Sequence, residues 1–270
     1  MLQDSRLNEI LKLVDQKGAV RVDELAKLFN ISESTIRRDL IELSKQNKLI
    51  KVHGGATATN YAGNITFDRV DKDYFFRENL EKEKKDLIAR KAASLIKDGA
   101  SVYLDASTSV ASVIDYLKPV DAYFVTNSPL IAKKLAMKNL KVFVTGGELK
   151  LTTDAYTGGF AIDFLNKFNF SIGLFGTNGI HRTANFTTPD PVEATIKRKA
   201  MERTYKSYIL ADSSKFNNVA SVTFANLSEA TLITDCIRDD YKDILKMIDA
   251  SKEDKWFIRL QFLRVSTTRW

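Results

Sequence analysis

The stretch ISESTIRRDLIEL, from Ile31 to Leu43, decides how the rest of this chain is read. Ser32 suits a helix N-cap, because its hydroxyl can accept from an amide one turn in, and Glu33 adds negative charge at the positive end of the helix dipole. Ile36, Leu40 and Leu43 then recur at i, i+4, i+7 and form one narrow apolar stripe. Ser34, Arg38 and Lys45 fall on the opposite side, flanked by Thr35 and Arg37. That free face is cationic and bears hydroxyls, a combination suited to the major groove of DNA. There an arginine can bind guanine O6 and N7 bidentately, and short hydroxyls can reach phosphates or bases. Taken alone, the stretch reads equally well as a solvated amphipathic surface helix, so its neighbours decide.

Upstream, Leu7, Ile10, Leu11 and Val14 give a first amphipathic helix that Gly18 stops. Val22, Leu25, Ala26 and Phe29 repeat at i, i+3, i+4, i+7 with Asp23 and Glu24 in the first turn, so a short second helix runs into a turn at Asn30-Ile31-Ser32. This is helix-turn-helix spacing. Downstream, Leu49 to His53 is strand-like and Gly54-Gly55 supplies a turn free in φ, which reads as a basic wing beside the groove.

These residues resemble the DeoR family of bacterial transcriptional regulators. The match lies in Arg6, Ile10, Val20, Glu24-Leu25-Ala26, Phe29, the block Thr35-Ile36-Arg37-Arg38-Asp39-Leu40, and His53-Gly54-Gly55-Ala56. A helix-turn-helix pattern alone is unspecific, whereas TIRRDL followed by HGGA at this distance is specific. The residues expected to face double-stranded operator DNA are Ser32, Ser34, Thr35, Arg37, Arg38, Lys45, Lys51, His53 and Gly54.

With 270 residues, 44% hydrophobic and 28% charged, the chain is long enough for about two domains with their own cores. The expected division is a winged helix-turn-helix over 1–57, with the motif itself at about 20–39, then a linker over 58–78. An α/β domain follows over 79–250, and a tail of unassigned role over 251–270. No signal peptide, spanning apolar run or lipidation motif is read, and the single Cys236 has no partner for an internal disulfide, so a cytoplasmic protein is expected. The net charge of +7 is weak evidence for nucleic acid, since residues 1 to 60 hold ten basic and eight acidic side chains. Local placement matters more: Arg37, Arg38, Lys45, Lys48 and Lys51 cluster in one small module, where phosphate contacts would make binding salt-dependent.

The linker is rich in Thr, Asn, Gly and Asp, yet Tyr61, Phe67, Tyr74, Phe75 and Phe76 argue that part of it packs on a domain. A long helix is predicted over 79–97, with Leu80, Leu87, Ile88, Ala92, Leu95 and Ile96 inward. Short apolar runs then alternate with helical periods, the signature of a parallel sheet covered by helices on both faces. The runs are Ser101 to Leu104, Tyr123 to Val125, Lys141 to Val144, Ser171 to Phe175, Ser207 to Leu210 and Thr231 to Ile233, each ending in polar or glycine residues. Ligands of such sheets bind outside the carboxyl ends of the strands. At the first tip, Asp105-Ala106-Ser107-Thr108-Ser109 brings three hydroxyls and free amides to a helix start, where an anion such as phosphate is favoured, though an ordinary Ser/Thr capping run fits the same spacing.

The family resemblance returns here through LDASTS, VTNS, Thr145-Gly146-Gly147, FGTNGI, the Glu193 to Lys199 helix, ADSSKF and LITD. It implies a Rossmann-like sensor domain related to ribose-5-phosphate isomerase that binds phosphorylated sugars. The implied phosphate loop is Asp105, Ser107, Thr108 and Ser109, with Gly146 and Gly147 on the opposite wall and Asp212 and Lys215 reaching the sugar or its phosphate. The expected molecule is therefore a homo-oligomer, dimer or tetramer, that represses a sugar-metabolism operon under control of a phosphosugar, without a cofactor or a membrane partner.

The rival reading is a sugar-phosphate isomerase, with Glu193, Lys197, Asp212 and Lys215 as acid and base groups. That chemistry needs a carboxylate to shuttle a proton between adjacent carbons and a cation at the developing enediolate. Where the isomerase carries a DGAD-like loop this chain reads Gly176-Thr177-Asn178-Gly179, and no KGRGG-like segment follows, so no catalytic residue is expected. No GxGxxG follows the first strand, which removes the dinucleotide motif, and His53 and His181 stand apart, so no metal is expected either. Cys236 is expected to be a buried strand-end residue.

Overall fold

The computed structural model describes residues 3–17, 19–46, 48–52, 54–58, 66–68, 77–78 and 80–252. The chain divides into two compact units, one up to residue 65 and one from Thr66 onward.

The first unit contains α1 (Gln3–Lys17), β1 (Ala19–Arg21), α2 (Val22–Phe29), α3 (Glu33–Lys45), β2 (Leu49–Val52) and β3 (Gly55–Ala58). The three strands form an antiparallel sheet in the order β1-β3-β2. The apolar stripes predicted from the sequence converge on one core, with Ile10, Val14, Ile36 and Leu40 fully buried and Leu25, Leu43 and Leu49 nearly so. Asn30 takes a left-handed conformation (φ 54°), which stops α2, and Ser32 starts α3 by accepting a hydrogen bond from the Thr35 amide at 3.3 Å. Strand β1 is not visible as a period because it is three residues long, and only its pairing with β3 defines it. A Cβ on Gly55 would lie 2.1 Å from the Val20 carbonyl oxygen, so glycine is what lets β3 approach β1.

The second unit opens with β4 (Thr66–Asp68), which pairs in parallel with β14 (Asn218–Ala220), so part of the 58–78 segment belongs to the α/β unit. Next come α4 (Lys82–Ala93), β5 (Ser101–Leu104), α5 (Thr108–Ala111), β6 (Tyr123–Thr126), α6 (Pro129–Met137) and β7 (Lys141–Val144). A hairpin of β8 (Glu148–Lys150) and β9 (Ala155–Thr157) leads to α7 (Gly159–Leu165), β10 (Phe170–Gly176), β11 (Gly179–His181), β12 (Asn185–Thr188) and α8 (Pro191–Glu202). The chain continues through β13 (Thr204–Leu210), β14, β15 (Val222–Ala225), β16 (Thr231–Thr234) and β17 (Lys246–Asp249).

Seven strands form a sheet in the order β17-β16-β13-β10-β5-β6-β7, with every pairing parallel. Successive strand residues alternate between two cores, as a period of two requires. Val102, Leu104, Phe124, Leu174, Leu210 and Ile233 pack under α4, α5 and α6, while Tyr103, Val125, Phe175, Ile209 and Leu232 pack under α7 and α8. All parallel strands end on one edge of the sheet, so the tips of β5, β10 and β13 lie side by side.

Three sequence expectations are corrected. The helix predicted over 79–97 is Lys82–Ala93: Asn79 lies outside the described residues, Glu81 is left-handed at φ 53°, and residues 94 to 96 leave the helical course. Its buried side is Lys85, Ile88, Ala89 and Ala92, which turns Leu87 outward at 41% exposure, and Leu80, before the helix starts, is 39% exposed; neither faces inward as expected. Cys236 is exposed, not buried, because β16 ends at Thr234 and the chain has left the sheet by residue 236. The seventh strand β17 and the small antiparallel sheet β11-β12-β15 also emerge only in the structure.

Candidate functional site

In the first unit, the outward face of α3 is the feature that can meet a partner. Its inward face carries an anchor that the apolar pattern does not show: Asp39 is 2% exposed and takes a two-pronged contact from Arg6 of α1, Nε to Oδ2 at 2.6 Å and Nη2 to Oδ1 at 3.1 Å. Asp39 holds the Arg6 guanidinium charge still more firmly, raising its pKa. A planar guanidinium against a carboxylate fixes rotation as well as distance, so α3 is held in one orientation on α1.

On the outward side, the Ser32, Ser34 and Thr35 hydroxyls gather at the start of α3, with Ser32 Oγ 2.9 Å from both Ser34 Oγ and Thr35 Oγ1. Arg37 is exposed but bonded to Glu33 one turn back at 2.8 Å. Arg38, Lys45 and Lys51 are exposed and carry no hydrogen bond or ion pair to other described residues. Gly54 makes the strand turn at φ 81°, and its carbonyl accepts from the Val22 amide at 2.9 Å. His53 lies outside the described residues.

The second unit offers its site at the strand tips. Asp105, at the end of β5, is 2% exposed; its Oδ2 accepts from the Gly176 amide at 3.0 Å and from Lys197 Nζ of α8. Ser107 caps α5 by accepting from the Val110 amide at 3.2 Å, and the Thr108 carbonyl accepts from Ser112 Oγ at 3.1 Å. Thr108 and Ser109 are buried and Ser107 is half-buried, so the loop is held within the fold at the strand tips. Gly176 backs this loop so closely that a Cβ there would lie 2.4 Å from Ser107 Oγ.

Asp212, after β13, is buried and accepts from the Ser214 amide at 3.0 Å, and Lys215 follows in the same turn. In the sheet order, β13 and β7 each lie two strands from β5, on opposite sides. Asp212 and Lys215 therefore flank one side of the loop, and Gly146 and Gly147 the other. A Cβ on Gly147 would meet the Thr157 carbonyl oxygen at 2.4 Å, so this glycine is required by packing against β9.

Lys85 of α4 is the residue that sequence reasoning missed. It is 5% exposed, donates to the Arg77 carbonyl, and lies in the field of Asp212, Lys215, Arg77 and Glu78. Burial lowers its pKa to about 8, Asp212 acts against that shift, and Lys215 and Arg77 reinforce it. A signal was present: Lys85 stands three residues before Ile88 and seven before Ala92, a charge on the buried stripe of an amphipathic helix. Lys85 and Lys215 thus share one field with Asp212 at the carboxyl end of β13, the edge of the sheet on which ligands of such folds bind.

Three of the four acid and base groups weighed for an isomerase are engaged in other roles. Lys197 is bonded to Asp105, Glu193 accepts from Lys150 of β8 at 2.9 Å, and Asp212 caps its turn. Among the described residues no group of His, Cys, Asp or Glu is arranged to hold a metal ion, and no helix is long and apolar enough to cross a membrane.

Comparison with known proteins bears on both units. Residues 6–61 match the DeoR-like helix-turn-helix domain, and residues 80–236 match the DeoR C terminal sensor domain. A Bacillus subtilis (strain 168) protein named the uncharacterized HTH-type transcriptional regulator FruR is 37% identical over 87% of this chain and 91% of its own length. The lactose phosphotransferase system repressor of Staphylococcus aureus (strain MRSA252) is 32% identical over 90% of this chain and 95% of its own. Among solved structures, a ribose 5-phosphate isomerase A from Methanocaldococcus jannaschii aligns with 50% of this chain and 54% of its own, at TM-score 0.39 and 15% identity.

Proposed function

The chain belongs to the DeoR family of transcriptional regulators, and on that premise we propose that it is an operator-binding repressor of sugar-metabolism genes whose DNA affinity is set by a phosphorylated sugar. The observation that carries the reading is the pairing of two features in one chain. A recognition helix locked by Arg6–Asp39 carries an exposed Arg38 with no side-chain partner among the described residues, and a hydroxyl loop at the strand tips, with Lys85 and Lys215 on its β13 side, suits a phosphate.

Double-stranded operator DNA meets Ser32, Ser34, Thr35, Arg37, Arg38, Lys45, Lys51, His53 and Gly54. The effector meets Ser107, Thr108, Ser109, Gly146, Gly147, Asp212 and Lys215, with Lys85 added and Asp105 beneath the loop. Reading two half-sites requires at least two copies of the chain, so the working form is a homo-oligomer. An effector that binds one arrangement of the α/β unit better than another shifts operator affinity by no more than that difference. The lactose phosphotransferase system named in the Staphylococcus aureus relative supports a sugar-derived effector. No catalytic residue is assigned.

The test is a fluorescence-anisotropy titration against DNA from upstream of the gene, at two salt concentrations, with and without phosphates of fructose, tagatose, ribose and deoxyribose. Specific binding that one of these sugars shifts is the expected result. If no salt condition gives specific binding, the reading fails and the α/β unit is assayed as an isomerase.

A further inference from the structure

Lys197 is a basic side chain buried where a lysine is rarely placed. It is 6% exposed, on the core side of α8, and its Nζ contacts only the 2%-exposed Asp105 carboxylate and, at 3.2 Å, the Gly176 carbonyl among the polar groups described around it. An ion pair this deep contributes little net stability, because desolvating both charges offsets their attraction, so its presence asks for a role in arrangement. What it arranges is narrow: α8, the tip of β5 and the tip of β10 meet at four atoms, Lys197 Nζ, Asp105 Oδ2, and the Gly176 amide nitrogen and carbonyl oxygen. Asp105 Oδ2 binds the Gly176 amide, Lys197 binds the Gly176 carbonyl, and Gly176 in turn abuts Ser107. The hydroxyl loop thus rests on a floor made by Lys197, Asp105 and Gly176.

We propose that Lys197 and Asp105 are a positioning pair for the effector loop: they do not touch the effector, and they fix Ser107, Thr108 and Ser109 in the geometry that receives a phosphate. This rests on the reading that the loop binds the effector. It moves Asp105 from the ligand shell to the layer beneath it and adds Lys197, which the acid/base reading had placed in a different role. Removing one partner leaves the other as a buried, unpaired charge and displaces the loop. Removing both charges while keeping an acceptor for the Gly176 amide leaves the floor in place.

The experiment is a cycle in the full-length chain: Lys197→Met, Asp105→Asn and the double substitution, with Ser107→Ala as a variant of the loop itself. Affinity is read by calorimetric titration with inorganic phosphate and with the phosphates of fructose and tagatose. Thermal unfolding without ligand is run in parallel. Each single charge substitution is expected to weaken the affinity by about tenfold or more, the consequence of misplacing charge-assisted hydrogen bonds. The double variant is expected to return to within about threefold of the unaltered protein, a non-additivity expected only of groups that act through each other. Ser107→Ala should weaken binding in either background.

A double variant that unfolds near the unaltered protein yet binds as weakly as the singles overturns the proposal, because it makes Lys197 or Asp105 a direct ligand. Single variants that bind normally overturn it as well. Where a single variant does not fold, the double and the other single decide. If the unaltered protein binds none of the phosphates, the effector reading itself fails, and the positioning role falls with it.

Discussion

Arg37 and Arg38 are adjacent, both exposed, and chemically identical, yet their surroundings separate them. Arg37 spends its guanidinium on Glu33, so presenting it to DNA first means breaking a surface ion pair worth a few tenths of a kcal/mol. Arg38 has no such partner among the described residues. Arg38→Ala is therefore expected to cost about 1–3 kcal/mol on operator DNA and much less on random DNA, if it makes a bidentate guanine contact. Equal losses on both DNAs in the anisotropy titration would make it a phosphate contact. Lys85 carries a second prediction. Its pKa of about 8, against an ordinary 10.5, means that its charge is lost as pH rises through 8. Phosphosugar affinity should fall across that range, and Lys85→Met should flatten the dependence. The sign for stability is opposite. Between about 8 and 10.5 the unfolded chain holds more protons, so this residue's contribution rises with pH, and its burial cost is present in full below 8.

At the level of the element, α3 depends on one long-range contact as much as on its own sequence. Its apolar stripe places it against the core, but Ile36, Leu40 and Leu43 would tolerate some rotation that the Arg6–Asp39 fork does not. Arg6→Ala leaves Asp39 buried and unpaired, which is expected to destabilise the first unit by about 3–5 kcal/mol. Arg6→Ala/Asp39→Ala should recover part of the stability, yet still bind the operator less well, because the orientation of the helix is no longer fixed. Denaturant unfolding and operator titration on the same samples separate these two effects. The helix over 79–97 illustrates how a stripe can mislead. Leu80 and Leu87 have the right spacing to face inward, but the helix starts only after Leu80, and the register that buries Ile88, Ala89 and Ala92 also buries Lys85 and leaves Leu87 outside. The competing requirement was a buried lysine that donates to the Arg77 carbonyl, which hydrophobic periodicity does not encode.

For the whole molecule, the prediction concerns DNA geometry. If two copies present α3 to one face of the duplex, operator half-sites will lie about 34–36 Å apart or a multiple of that. Inserting about half a helical turn between half-sites should abolish high-affinity binding while leaving single-site binding intact, as footprinting would show. The fall of affinity with salt reports the number of phosphate contacts, and a change at Lys45 or Lys51 should reduce that slope without altering sequence preference.

Read alone, the chain determined its fold class and its family. Stripes at 3.6 residues, runs that alternate with period two, the Ser32 cap, and the TIRRDL and HGGA blocks are all local signals, and local signals survive in one dimension. The positions of the strand tips were legible for the same reason, since each tip ends in polar or glycine residues next to an apolar run. Only the tertiary structure decided what pairs with what. Arg6 with Asp39, Lys197 with Asp105, Lys85 beside Asp212, and β4 against β14 join residues far apart in the chain. No period encodes such partners. A buried charge is compatible with the fold only when a specific opposite group reaches it, and which group does so is set by the order of strands in the sheet and the helix packed upon them.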